Sequence, residues 1–142
     1  MRLDDWEMRL SAFMAERRDR PFEWGENDCL MFALSSAAAI TGEDKGEPFR
    51  GKYDSKKAAT AMLREHGVGT LLKTLDANFT RKKPGFAQRG DLVWFHGSVG
   101  VCVGGSALFV GEERLAEAAG VLMREGLVTI PRRLWQKAWA VG

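Results

Sequence analysis

Histidine is scarce in this chain, with only His66 and His96 among 142 residues, and cysteine is as rare, with only Cys29 and Cys102. Two cysteines so far apart exclude the dense disulfide framework of a small secreted scaffold and fit a reducing compartment. No CxxC or HxxxH spacing is present, so a structural zinc would need scattered ligands, and neither a metal nor a cofactor is expected. Long apolar runs are also missing. The opening MRLDDWEMRL carries acids and bases where a signal peptide needs an apolar core, and the expectation is a soluble chain with no secretion signal and no membrane span. Nor is there an excess of one charge: 21 basic against 19 acidic residues leave +2, too little to argue for a nucleic-acid partner. The basic clusters Arg17-Arg18, Arg81-Lys82-Lys83 and Arg132-Arg133 each flank a proline or a helix end and read as solvated ends and loops. They are not interleaved with the aromatics of a single-strand binding platform.

What is present is enough apolar residue, 45% of the chain, for one compact domain over residues 1–142. Leu3, Trp6, Leu10, Phe13 and Met14 recur at helical spacing, with Asp4 and Asp5 at the start, Arg17-Arg18 at the end and Pro21 beyond. A polar, glycine-rich loop, GEDKGEPFRGKYD, precedes a helix capped by Asp54 or Ser55, carrying Ala58, Met62 and Leu63 and closing at His66-Gly67, where His66 suits the helix C-terminus. Thr70 to Phe79 reads as one more short helix. From Gly90 the period changes. DLVWF, VGVCV and ALFV are short β-rich runs separated by HGS and GGS, as in an antiparallel meander. Glu112 to Ala119 suits a helical excursion and Leu127 to Ile130 a strand. The Leu134, Trp135, Ala138, Trp139 stripe suits a short helix or turn leading to a last strand. Helices first and strands after make an α+β domain.

The richest stretch is PFEWGENDC, Pro21 to Cys29, running into LMFALSSAAAI and stopping at Thr41-Gly42. Asn27 and Asp28 are good N-caps, and Leu30, Phe32, Ala33, Ala37 and Ile40 suit a buried helix that Gly42 ends. Cys29 therefore opens a helix, where the dipole and the unpaired first-turn N–H groups favour a thiolate. A free cysteine there can equally be a small apolar packing residue. Trp24 and Trp94 suit core or groove wall, and Gly90-Asp91 a turn that starts the sheet.

In order, PFEWG, DC at a helix start, GDLVWF and VGVCVG resemble the NlpC-type papain-like cell-wall peptidases. Their members read Pro-Tyr-x-Trp-Gly, Asp-Cys-Ser-Gly, Gly-Asp-Leu-Val-Phe-Phe and His-Val-Gly-Ile-Tyr-Leu-Gly. The resemblance runs from Pro21 to about Gly111 and is nearest to a small branch carried among phage and prophage tail genes. It implies a papain-like domain, a helical first half packed on a small antiparallel sheet. It also implies a place in the bacterial cytoplasm during assembly and then in the virion tail, and tail proteins or peptidoglycan as partners. In the family a cysteine attacks an amide carbonyl, a histidine takes its proton and a polar residue orients that histidine.

Carried over, the nucleophile matches Cys29, but the histidine position is Ser98 and the third, polar position falls on or beside Val110. Serine is no base near neutral pH, and valine orients nothing. Phe22 replaces the family's tyrosine, while Trp24 and Asp28 are retained beside it. The resemblance thus implies a tail-associated module that kept the scaffold and lost the reaction, acting in tail-tip assembly or in binding a partner or cell-wall ligand. The alternative is an active peptidase or amidase on peptidoglycan stem peptides with His96, two residues before Ser98, as an unconventional base. A third reading is an unrelated basic binding domain with Arg81 to Lys83 as its footprint. By alternation Cys102 shares the face of Ser98 and Gly100 and so the groove of Cys29. About 13 Å of strand from Ser98 to Cys102 excludes a disulfide to Cys29 and leaves packing as its role.

Overall fold

The computed structural model describes residues 1–121 and 126–142. Four helices come first: α1 (Trp6–Arg17), α2 (Cys29–Thr41), α3 (Lys56–His66) and α4 (Leu71–Asn78). The strands are β1 (Thr80–Lys82), β2 (Leu92–Phe95), β3 (Ser98–Cys102), β4 (Ser106–Val110), β5 (Leu127–Pro131) and β6 (Lys137–Ala140), with α5 (Glu113–Ala119) between β4 and β5. Among the described residues the fold is one α+β domain of five α-helices and a six-stranded, wholly antiparallel sheet in the order β1-β6-β2-β3-β4-β5.

The expected meander holds for β2 through β5 but not for the whole sheet. β6 inserts between β2 and a strand the sequence pattern missed, β1, so Arg81 lies opposite Trp139 and Leu92 opposite Trp139 from the other side. Three polar residues, Thr-Arg-Lys, give β1 no period of their own, and only long-range pairing makes them a strand.

Alternation divides the sheet into two faces. Leu92, Val99, Val101, Val110 and Trp139 pack with Leu10, Phe13, Phe32 and Ile40 of α1 and α2. Val93, Phe95, Cys102, Phe109 and Ile130 form a second cluster on the opposite face, closed by Leu115 of α5 and Trp135. α2 is apolar nearly all round and is the central helix, buried at Leu30, Met31, Phe32, Ala33, Leu34, Ala37 and Ile40. Its ends follow the sequence signals: Asp28 caps its start, and Gly42 in the left-handed conformation closes it through an N–H donated to the Ala38 carbonyl. Ser55 and Thr70 cap α3 and α4 in the same way.

Asn27 does something other than capping. It is fully buried, its amide donates to the carbonyls of Arg20 and Pro21, and its Oδ1 accepts from Arg17 Nη1 at 3.0 Å. The polar amide thus ties the loop before α2 to the end of α1, and Asp28 alone is left to cap.

Candidate functional site

The site begins at the first turn of α2. Asp28, 2% exposed, accepts from Met31 N–H at 2.9 Å on one oxygen and from Gly25 N–H at 2.8 Å on the other. That second oxygen also accepts from the Tyr53 hydroxyl at 2.5 Å. Tyr53 is the chain's one tyrosine and lies in the polar loop before α3, so its hydroxyl reaches the carboxylate across 25 residues of sequence. The same loop is pinned by Gly51 N–H to the Gly25 carbonyl at 2.8 Å. Gly25 has φ of +82°, and a Cβ there would sit 2.4 Å from the Tyr53 carbonyl oxygen, so only glycine allows the two loops to close.

Cys29 is held in this frame as a partly buried, free thiol. Burial pushes it up from 9.0 to about 11, and the neighbouring Asp28 carboxylate pushes in the same direction. The Ser98 hydroxyl and the Val99 N–H oppose this more weakly, and Glu112 adds a further small rise. The activation expected of a helix N-terminus is therefore reversed: desolvation and an adjacent carboxylate outweigh the dipole. At pH 7 the thiolate fraction is roughly one in ten thousand.

Structure brings Ser98 to the thiol, as the resemblance implied for that position. Ser98 is 1% exposed and its Oγ has no hydrogen-bond partner among the described residues, although it lies close enough to ease the thiol's ionisation. Val110 packs in the apolar cluster with Val99 and Val101 and offers nothing polar. Two residues on, Glu112 adds a smaller upward push on Cys29 than Asp28 does, and it pairs with Arg114 at 3.1 Å.

His96 sits elsewhere. With Gly97 it makes the two-residue turn joining β2 to β3, and φ values of +48° and +78° give the type I′ geometry that matches the twist of a hairpin. The residue is exposed, and its ring lies 4.4 Å from that of Phe95, whose side chain belongs to the cluster away from α2. Its N–H donates to Gln136 Oε1 at 2.9 Å and its carbonyl accepts from Arg114. Those contacts hold His96 as a turn residue.

Cys102 does not share the groove of Cys29. It is fully buried in the second cluster, with the Arg132 guanidinium 3.7 Å from its sulfur. Gly100 and Cys102 do share a face, but it is the one turned away from α2, whereas Ser98, at the start of β3 beside the turn, departs from that alternation and reaches Cys29. Trp94, expected as core or groove wall, packs edge-on to Trp139 at 6.0 Å. Phe22 and Trp24 stack edge-to-face at 4.8 Å, and Trp24 meets Tyr53 at 6.5 Å.

Beside Cys29 opens a cavity of about 70 Å³, walled by Trp24, Phe49 and Tyr53 from the loops, Met62 and Leu63 of α3, and Leu71 of α4. Phe49 and Tyr53 come from a segment that reads as plain polar loop, and only their aromatic rings within it signalled burial. Among the described residues no three His, Cys, Asp or Glu side chains are placed to hold a metal ion, and no helix is long and apolar enough to cross a membrane.

Over residues 1–141 the sequence matches the family described as Domain of unknown function (DUF6950). The chain belongs to that family. No curated protein matches it. In this DUF6950 chain, then, a neutral thiol at a helix start, a buried hydroxyl beside it and an apolar cavity next to both make up the candidate site.

Proposed function

We propose that this chain is a phage tail-associated, NlpC-like module of papain-like fold whose catalytic set is incomplete, acting in tail-tip assembly or in binding a partner or cell-wall ligand. The scaffold half of the reading rests on the motif order from Pro21 to Gly111 and on the capped start of α2 at Cys29. The catalytic half rests on one observation. The side chain at the thiol from the position of the family's histidine is the hydroxyl of Ser98, and the thiol is pushed up to about 11. Acyl transfer by cysteine needs a thiolate and a base that can also protonate the leaving amine. A serine hydroxyl supplies neither near neutral pH. The tail setting and the choice among tail protein, cell-wall ligand and assembly role come from the resemblance.

The test is on the unmodified chain. Incubated with purified peptidoglycan fragments, it should release no new amines or stem-peptide products above a no-protein control, and Cys29→Ala should fold and behave like the wild type. Robust turnover abolished by both Cys29→Ala and His96→Ala would overturn the reading in favour of an active peptidase.

A further inference from the structure

The basic cluster Arg81-Lys82-Lys83 takes no part in the Cys29 site, and the fold gives it neighbours far off in sequence. Because β6 pairs with β1, with Lys82 opposite Ala138, Gln136 and Lys137 come to lie beside the cluster. With Pro84 they line an open groove of about 460 Å³. Two of its four cations are already matched, Arg81 by Asp76 at 2.6 Å and Lys82 by Asp91 at 2.7 Å. Lys83 and Lys137 make no salt bridge among the described residues. Two unmatched charges of one sign in one groove favour an anionic occupant.

Two residues beyond the groove wall at Pro84 stands Phe86, 69% exposed and the one exposed aromatic ring among the described residues. A single exposed apolar side chain is ordinary. This one is held out by its loop. Pro84–Phe86 is a short 3-10 turn; Arg132 Nη1 donates to the Ala87 carbonyl at 3.1 Å, and the carbonyls of Pro84 and Gly85 lie 3.4 and 3.5 Å from the same nitrogen. Arg132 is fixed in turn by the Gly104 carbonyl at 2.7 Å and by its stacking on Trp135, 4.6 Å from the ring centre. A turn braced in this way has little backbone freedom left to lose when its ring is covered, which is what an interface anchor needs.

The number of free charges decides what kind of anion fits. Nucleic acid gains affinity with each phosphate neutralised, and single strands need several stacked rings. Two free lysines and one ring supply neither, and the Asp76 carboxylate on the groove's Arg81 would repel a phosphate chain. An anionic membrane is held by clusters of about four to eight basic residues. A protein segment with a pair of carboxylates and an apolar side chain matches two lysines and one ring. We propose that the groove at the end of β1 and the start of β6, with Phe86 beside it, is a docking surface for an acidic protein segment whose carboxylates pair with Lys83 and Lys137 and whose apolar side chain covers Phe86. The groove shares no lining residue with the cavity at Cys29 and does not depend on the reading of that site.

Exposed ion pairs are individually weak, so the test is an NMR titration, which reads weak binding residue by residue. The isotope-labelled chain would be titrated with the hexapeptide acetyl-Glu-Leu-Glu-Glu-Leu-Glu-amide and, separately, with its lysine-for-glutamate counterpart, a thymidine decamer, and vesicles of phosphatidylserine and phosphatidylcholine. The acidic peptide should shift the amide signals of Arg81, Lys82, Lys83, Phe86, Gln136 and Lys137, and the lysine peptide should not. Lys83→Glu combined with Lys137→Glu should raise the Kd of the acidic peptide about tenfold, and Phe86→Ser about fivefold. Lys57→Glu, the same charge change at an exposed position of α3, should leave it within about twofold. No shift at the groove amides of the wild type, an effect of Lys57→Glu equal to that of the groove variants, or tighter binding of the oligonucleotide or the vesicles than of the acidic peptide would each overturn the proposal.

Discussion

Cys29 shows how little a helix start guarantees about a thiol. The dipole and first-turn N–H groups favour the anion by a modest amount, whereas burial beside the Asp28 carboxylate opposes it more strongly, and the thiol ends near 11. Two expectations follow from that direction. Alkylation of Cys29 should be slow at neutral pH and rise about tenfold per pH unit, bending only near pH 11, and a bend near pH 7 would show a cationic partner. Stability should also respond. The unfolded thiol ionises near 9 while the folded one stays protonated, so between about pH 9 and 11 the unfolded state binds fewer protons and stability falls as pH rises. Tyr53, raised by burial and then by Asp28, acts in the same direction at still higher pH. Cys29→Ala should therefore flatten the loss of stability above pH 9, measured by urea unfolding at a series of pH values. An unchanged slope would mean the thiol is not desolvated.

At the scale of elements, the start of α2 and the loop before α3 form one unit through Asp28. Asp28→Ala removes a helix cap and leaves Gly25 N–H, Met31 N–H and the Tyr53 hydroxyl without their acceptor, which should cost about 2–4 kcal/mol. Tyr53→Phe removes one hydrogen bond to a charged group and should cost about 1.5–3 kcal/mol. Chemical denaturation reads both, and a loss below about 0.5 kcal/mol for Asp28→Ala would mean the cap is not holding the loop. The cap itself was legible, because Asp28, the apolar run and Gly42 are all local signals, and so were the five α-helices and the strands β2 to β5. The partner loop was not. Tyr53 meets Asp28 across 25 residues, and in GEDKGEPFRGKYD only the rings of Phe49 and Tyr53 hint at burial, with nothing local to say what they would pack against. The same limit hid β1, and it misplaced Cys102: alternation breaks at Ser98 beside the turn, so the face that Ser98 meets is not the face of Cys102.

The whole molecule is closed by another carboxylate, which the sequence offered only as a turn. Asp91, 2% exposed, accepts from Arg2 Nη2 and Val141 N–H on one oxygen, each at 3.0 Å. On the other it accepts from Lys82 Nζ at 2.7 Å and Gln88 N–H at 2.8 Å. Arg2 adds bonds to the carbonyls of Val141 and Arg89, so residues from the first helix's approach, from β1 and from the end of β6 converge on one side chain. A buried acid with two partly buried cations and two backbone donors is costly to break because all four partners lose their acceptor at once. Asp91→Ala should therefore lower unfolding stability by about 3–5 kcal/mol, with Asp91→Asn falling between it and the wild type. Arg81→Ala is the internal comparison, since its pair with Asp76 is half exposed and should be worth under about 1 kcal/mol. A double-mutant cycle of Arg2→Ala with Asp91→Ala should be strongly non-additive, because both variants break the same junction. Additive losses, or an Asp91→Ala effect no larger than that of Arg81→Ala, would show that α1, β1 and β6 are held together by apolar packing alone.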